Sequence, residues 1–187
     1  MLARWRDFYN KKSVKVARGV ASTGVHPNTI TILTLFYNIA VAYLIYREKF
    51  FLSAWLLIGS LFLDGLDGAV ARAQGKASKK GTLLDHFCDR VAEFFIFLAI
   101  ALSSLVSWWI VFTVFFFSIM TSYVRARAES LSGGNCEVGL VGRFEKISIL
   151  IVGLFFPGYM HYLMIFLGVL CLITVIQRLY HSFRYLL

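Results

Sequence analysis

The run Asp64-Gly65-Leu66-Asp67-Gly68-Ala69-Val70-Ala71-Arg72 is followed by eight residues and then by Gly81, Asp85 and Asp89. It puts four carboxylates into a chain that is 59% hydrophobic and 17% aromatic. Asp64 and Asp67 stand three apart and Asp85 and Asp89 four apart, so on helices each pair shares a face, its members about 60° and about 40° apart on the wheel. Two facing helices would bring all four acids together. An Asp near the middle of a membrane helix costs roughly 2.5 to 3.5 kcal/mol, which requires pairing with cations or an aqueous mouth. A set of oxygen ligands alone favours Mg²⁺ or Mn²⁺ over zinc, and two such ions would balance four carboxylates. Metal charge exposed toward a diphosphate, with one acid left as a base, is the layout of a phosphoryl-transfer site.

Outward from this run the chain reads as an integral membrane protein. Its 187 residues suffice for one domain and are too apolar for an ordinary soluble one. Apolar stretches at 29–46, 50–72, 83–105, 107–124, 144–156 and 160–177 predict six transmembrane helices, with Pro157-Gly158 as the turn between the last two. Residues 1–25 interleave basic with apolar or aromatic side chains, including Trp5 and Tyr9, and predict an amphipathic helix lying in the interface. The first apolar run is as long as a true span, so no cleavable signal peptide is predicted. The fold expected is all-α: one domain over 1–187, with an interfacial helix over 1–25 and six spans over 29–180.

The formal charge is +9, and its distribution sets the orientation. Basic residues cluster before the first span, after the second, around the loop after the fourth and after the sixth, where Arg178 and Arg184 stand, whereas the opposite side carries only Arg47 and Lys49. The positive-inside rule puts both termini and the acidic motif on the cytoplasmic face of the cell membrane. Cations at span ends meet headgroups and phosphorylated substrates, which makes nucleic acid the poorer partner. Cys88, Cys136 and Cys171 have no CxxC spacing, so neither a disulfide framework nor a zinc site is predicted. Arg90 and Glu93, three apart, are spaced for an ion pair, and for His86 and Cys88 packing is the default.

The acidic run matches, position for position, the signature DxxDG, two residues, AR, eight residues, G, three residues, D, three residues, D, and on these eight positions the chain resembles the CDP-alcohol phosphotransferase family. The resemblance implies that a CDP-linked lipid gives its phosphatidyl-type group, diacyl or dialkyl, to an acceptor hydroxyl and releases CMP. Carried over residue by residue, Asp64, Asp67, Asp85 and Asp89 look like ligands of two divalent ions, Mg²⁺ or Mn²⁺, with Asp89 also the general base. Gly68, Arg72 and Ser78 occupy positions similar to the family's CDP contacts. Gly68, Ala71 and Gly81 lack the bulk that would keep a base or diphosphate off the backbone, although small residues also serve helix packing. Asn28 and Thr31, in Pro27-Asn28-x-x-Thr31, resemble the element beside the nucleotide, while simple helix capping would need only Asn28. A homodimer is implied by the resemblance alone.

The acceptor reading rests on Ser122-Tyr123-Val124-Arg125-Ala126-Arg127-Ala128-Glu129, which resembles the subgroup that uses inositol phosphate. Arg125, Arg127 and Arg143 are therefore the candidate ligands of an acceptor phosphate, against a reading in which all three are positive-inside anchors. Glycerol 3-phosphate is the alternative acceptor. From a different class, the acids could line a divalent-cation transport path, for which the Gly and Arg spacing would have no use.

Overall fold

The computed structural model describes residue 19 and residues 25–76, 78–132 and 138–186. The interfacial helix expected over 1–25 lies outside the described residues except for Gly19 and Val25. All regular structure among the described residues is helical: α1 Pro27–Tyr46, α2 Phe50–Ala73, α3 Lys79–Leu102, α4 Trp108–Ser132, α5 Arg143–Phe155, a 3₁₀ turn Pro157–Tyr159 and α6 Met160–Leu186. The 3₁₀ turn falls on the predicted Pro157-Gly158 break, where proline supplies a fixed φ and cannot extend the preceding helix. The sixth helix departs from expectation: it does not stop at residue 177 but runs on to Leu186, so Arg178 lies within a helix and not beyond one.

Four stretches, Pro27–Tyr46, Phe50–Ala73, Trp108–Leu131 and Pro157–Arg184, are long and apolar enough to cross a membrane, and they mark the chain as a membrane protein. The other two helices differ for physical reasons. α3 has 24 residues but carries Lys79, Lys80, Asp85, Asp89, Arg90 and Glu93. α5 has only 13 residues, about 20 Å of helix against about 30 Å of hydrocarbon.

The chain divides into two compact units, Met1–Val41 with Leu56–Phe95, and Ala42–Trp55 with Ile96–Leu187. In the first, Ile30 of α1 and Leu66, Ala69 and Val70 of α2 form a buried apolar cluster. Polar bonds reinforce the same helix pair: Ser60 Oγ donates to Asn38 Oδ1 at 2.7 Å, and Tyr37 Oη donates to Leu56 O at 2.9 Å. Gly59 leaves the space that Tyr37 fills, since a Cβ there would stand 2.9 Å from the phenol oxygen. The Arg90–Glu93 pair expected from the spacing forms on α3. Cys88 is buried as expected, whereas His86 is exposed.

In the second unit α6 packs on α4 at Gly168, where an added Cβ would meet Val114 Cγ2 at 3.0 Å. Buried Leu154, Met160, Met164 and Leu167 continue that core. Two cations are buried in this unit, Lys146 at 3% and Arg178 at 6% exposure. Lys146 Nζ donates to Ser118 Oγ at 2.7 Å and to Ser118 O at 3.3 Å. Arg178 donates from Nε to Val138 O at 2.8 Å and from Nη1 to Thr121 O at 2.5 Å, which ties the segment before α5 to α4.

Candidate active site

The first unit holds a three-carboxylate cluster and, next to it, a cleft. Asp64 of α2 and Asp85 and Asp89 of α3 bring carboxylate oxygens within 4.8 Å of one another. Asp85 and Asp89 are one turn apart, and the partly buried position of all three follows from the shared helix faces read in the sequence. Asp67 lies on α2, and its side chain is outside the described residues. Ligand oxygens on a six-coordinate Mg²⁺ lie about 2.9 Å apart when adjacent and about 4.2 Å when opposite, so three carboxylates gathered this closely could share a divalent ion once they draw in around it. Three negative oxygen donors and no sulfur or imidazole are the donor set of a hard cation.

The cleft, about 130 Å³ in volume, is lined by all seven residues expected to meet the CDP-lipid: Asn28, Thr31, Gly68, Ala71, Arg72, Ser78 and Gly81. Asp85 lines it too and thereby joins it to the carboxylate cluster. Local structure explains how each side chain gets there. α1 begins at Pro27, whose missing N–H costs nothing in a first turn. The cap on that turn comes from His26, whose Nδ1 accepts from Asn28 N at 3.3 Å, not from the Asn28 side chain. Asn28 Oδ1 instead faces Gly81, where an added Cβ would lie 3.3 Å from it. Ser78 stands just before α3, and its Oγ accepts from Gly81 N at 3.1 Å, an N-cap that leaves the hydroxyl proton able to donate into the cleft. Gly81 is thus small for two reasons, since a Cβ would also lie 3.3 Å from Ser78 Oγ.

Three further residues line the cleft that the sequence reading did not assign to it: Pro27, Lys76 and Thr82. Lys76 belongs to the basic cluster after the second span. Its place is set by the end of α2, where Gly75 adopts φ +64°, Gly75 N donates to Arg72 O at 3.2 Å and Lys76 N donates to Ala71 O at 2.9 Å. This double bond pattern with a left-handed glycine is a Schellman cap, and the glycine at the end of the apolar run was its signal. Gln74 Nε2 donates to Val25 O at 3.0 Å and holds the same turn to the residues before α1.

The arginines expected at the acceptor belong to the second unit. Arg125 Nε donates to Glu129 Oε1 at 2.9 Å one turn on along α4, Arg127 is exposed, and Arg143 is the half-buried first residue of α5. The buried cations of that unit, Lys146 and Arg178, were read as flanking charges. They bound the stretch 147–177, which holds no Asp, Glu, Lys or Arg, and at the edge of such a stretch a cation reads as an anchor.

Residues 24–177 match the sequence profile of the CDP-alcohol phosphatidyltransferases. An archaetidylinositol phosphate synthase of Pyrococcus horikoshii is 35% identical over 182 residues, 97% of this chain and 96% of that protein. A phosphatidylinositol phosphate synthase of Mycobacteroides abscessus is 31% identical over 201 residues, 96% of this chain and 86% of that one. Among solved structures, phosphatidylinositol phosphate synthase of Mycobacterium tuberculosis with CDP-DAG bound superposes with a TM-score of 0.78 at 28% identity, covering 91% of this chain and 93% of that one. The same enzyme in complex with manganese and citrate gives 0.80 at 28% identity, with 91% and 88% covered.

Proposed function

The chain belongs to the CDP-alcohol phosphatidyltransferase family, and from that premise we infer that it is a metal-dependent transferase moving a phosphatidyl-type group from a CDP-linked lipid to a hydroxyl of inositol phosphate, with release of CMP, in phospholipid biosynthesis. One observation carries the reading: the cleft lined by every expected CDP contact shares Asp85 with the carboxylate cluster. The relatives, named as inositol phosphate lipid synthases, support the acceptor, and neither glycerol 3-phosphate nor ion transport gains support.

In this reading Arg72 and Lys76 hold diphosphate oxygens, Gly68, Ala71 and Gly81 admit the nucleotide to the backbone, and Asn28, Thr31 and Ser78 supply neutral polar contacts. Asp64, Asp67, Asp85 and Asp89 hold two divalent ions, Mg²⁺ or Mn²⁺. Bound there, the ions neutralise charge on the diphosphate and on the departing CMP. Asp89 takes the proton of the acceptor hydroxyl as its oxygen bonds to the lipid-side phosphorus. The bond from that phosphorus to the bridging oxygen breaks, and the electron pair leaves with CMP. Arg125, Arg127 and Arg143 are the ligands for the acceptor's own phosphate.

The same reading makes α1 to α6 six spans in one domain, with an N-terminal interfacial helix, a homodimeric assembly and a cytoplasmic active site. Basic loops flanking the motif support that orientation. Cysteine placed at Lys76 should react with an impermeant reagent only from the cytoplasmic face; labelling from outside intact cells would sink the topology. The function itself is tested by CMP release in the presence of CDP-lipid with inositol phosphate, inositol, glycerol 3-phosphate or serine. Inositol phosphate should support turnover and the others should not. Equal turnover with glycerol 3-phosphate would overturn the acceptor.

A further inference from the structure

The end of α6 builds a second cavity. Gln177, Tyr180, His181 and Arg184 follow one another at steps of three, one and three residues, a single face of the last turns of that helix. With Val138, Gly139 and Leu140 they line an open cavity of about 690 Å³. None of these residues belongs to the acidic motif or to the cleft beside it.

The wall formed by 138–140 is fixed in place. Arg178 Nε holds Val138 O at 2.8 Å, and Val141 N donates to Thr174 Oγ1 at 3.2 Å. Gly139 sits at φ +134°, where a Cβ would come within 2.6 Å of Thr174 Cγ2, so no larger residue fits between the wall and α6. The chemistry of the lining is one-sided. Arg184 is its one formally charged side chain, His181 offers its ring nitrogens, no acid lines it, and Arg184 makes no ion pair among the described residues. Gln177 Oε1 is buried and has no hydrogen-bond partner among the described residues. A buried acceptor asks for a donor, and a cationic lining asks for an anion.

The depth of the cavity narrows the choice. It lies at the end of the most apolar of the four membrane-crossing stretches, beside exposed Tyr180 and Phe183, the aromatic and basic signature of the membrane–water interface. We propose that this cavity binds the headgroup of an anionic phospholipid that carries free hydroxyls. The phosphate is held by Arg184 and His181, and a headgroup hydroxyl donates to Gln177 Oε1. A soluble polyol phosphate shares this chemistry, so the test separates the two sources.

Full-length protein is equilibrated in micelles containing equal amounts of phosphatidylglycerol and phosphatidylcholine, and retained lipid is read by native mass spectrometry. Phosphatidylglycerol should be retained in preference by about tenfold or more, and Arg184→Ala should remove most of that preference. Gln177→Glu has nearly the shape of the native side chain and sets a negative charge against the phosphate, so it should abolish the preference, with the fold of the variant checked by denaturant unfolding in the same micelles. Millimolar glycerol 1-phosphate should leave the lipid in place; displacement would overturn the lipid assignment. Equal retention of both lipids, or an unchanged preference in both variants, would overturn the site. A raised acceptor KM in Arg184→Ala with lipid retention unchanged would give the cavity to the acceptor and would also overturn the proposal.

Discussion

The two units of the chain handle charge in opposite ways. In one, three carboxylates from two helices converge within 4.8 Å. In the other, buried Lys146 and Arg178 both donate to one turn of α4, Lys146 to Ser118 Oγ and Arg178 to Thr121 O, and Arg178 also holds Val138 O. Like charges gathered in one place repel, and a bound cation relieves that repulsion. Buried cations that donate to carbonyls and hydroxyls of the chain have part of their desolvation cost offset within the fold. The first arrangement stores a demand for ligand, and the second converts charge into rigidity. Loss of metal should therefore act through the first unit and loss of fold through the second.

The largest expected effect tests that division directly. Removal of divalent ions by chelation should take CMP release to background, with recovery on addition of Mn²⁺ or Mg²⁺. Activity that survives exhaustive chelation would break the comparison at its root. Asp89→Asn should lower turnover by about 10² or more and leave CDP-lipid binding largely intact, the scale of a lost general base. Asp67→Asn should instead weaken metal dependence and nucleotide binding together, as read by metal titration of turnover and by binding of the CDP-lipid.

Smaller effects belong to the cationic unit. Arg178→Lys loses the fork that reaches both Val138 O and Thr121 O, and should cost about 1.5 to 3 kcal/mol of stability in denaturant unfolding of the micellar protein. A changed metal requirement with stability intact would show that the two kinds of charge are not separate. Alanine at Arg125, Arg127 or Arg143 should raise the acceptor KM by the equivalent of about 1.5 to 3 kcal/mol for those that touch the acceptor phosphate. If none raises it more than the KM for the CDP-lipid, all three are anchors. The least effect concerns stability at Arg125, whose bond to Glu129 is solvent-exposed, so that Arg125→Ala should stay within about 0.5 kcal/mol in the same unfolding measurement.

The acidic site was legible because its geometry is periodic. Asp85 and Asp89 share a face by spacing alone, and the eight fixed positions of the motif left little else to decide. The helices were legible for a similar reason, since apolar runs bounded by Gly, Pro and charge lie within a few residues of the observed elements, except where α4 and α6 run on through polar residues to Ser132 and Leu186. What escaped is set by contacts across long separations. Ser118 and Lys146 are 28 residues apart and Thr121 and Arg178 57 apart, and no local pattern tells a buried cation from one anchored at a headgroup. The cap on α1 escaped for a different reason, because histidine ring nitrogen and asparagine carbonyl are both acceptors and only geometry assigns the bond to His26.

Only Arg47, Glu48 and Lys49 separate α1 from α2, so the two helices reach the bilayer as a hairpin during synthesis, since neither has the slack to insert without the other. Glu48 takes φ 57° at the turn, and its carboxylate accepts from Ser104 Oγ at 2.7 Å, a partner 56 residues further along the chain. At about 5 to 20 residues per second, the ribosome delivers that serine some 3 to 11 s after the turn itself. The hairpin crosses early and is clasped late, and in that interval the nascent turn must keep a left-handed glutamate without the hydrogen bond that later holds it.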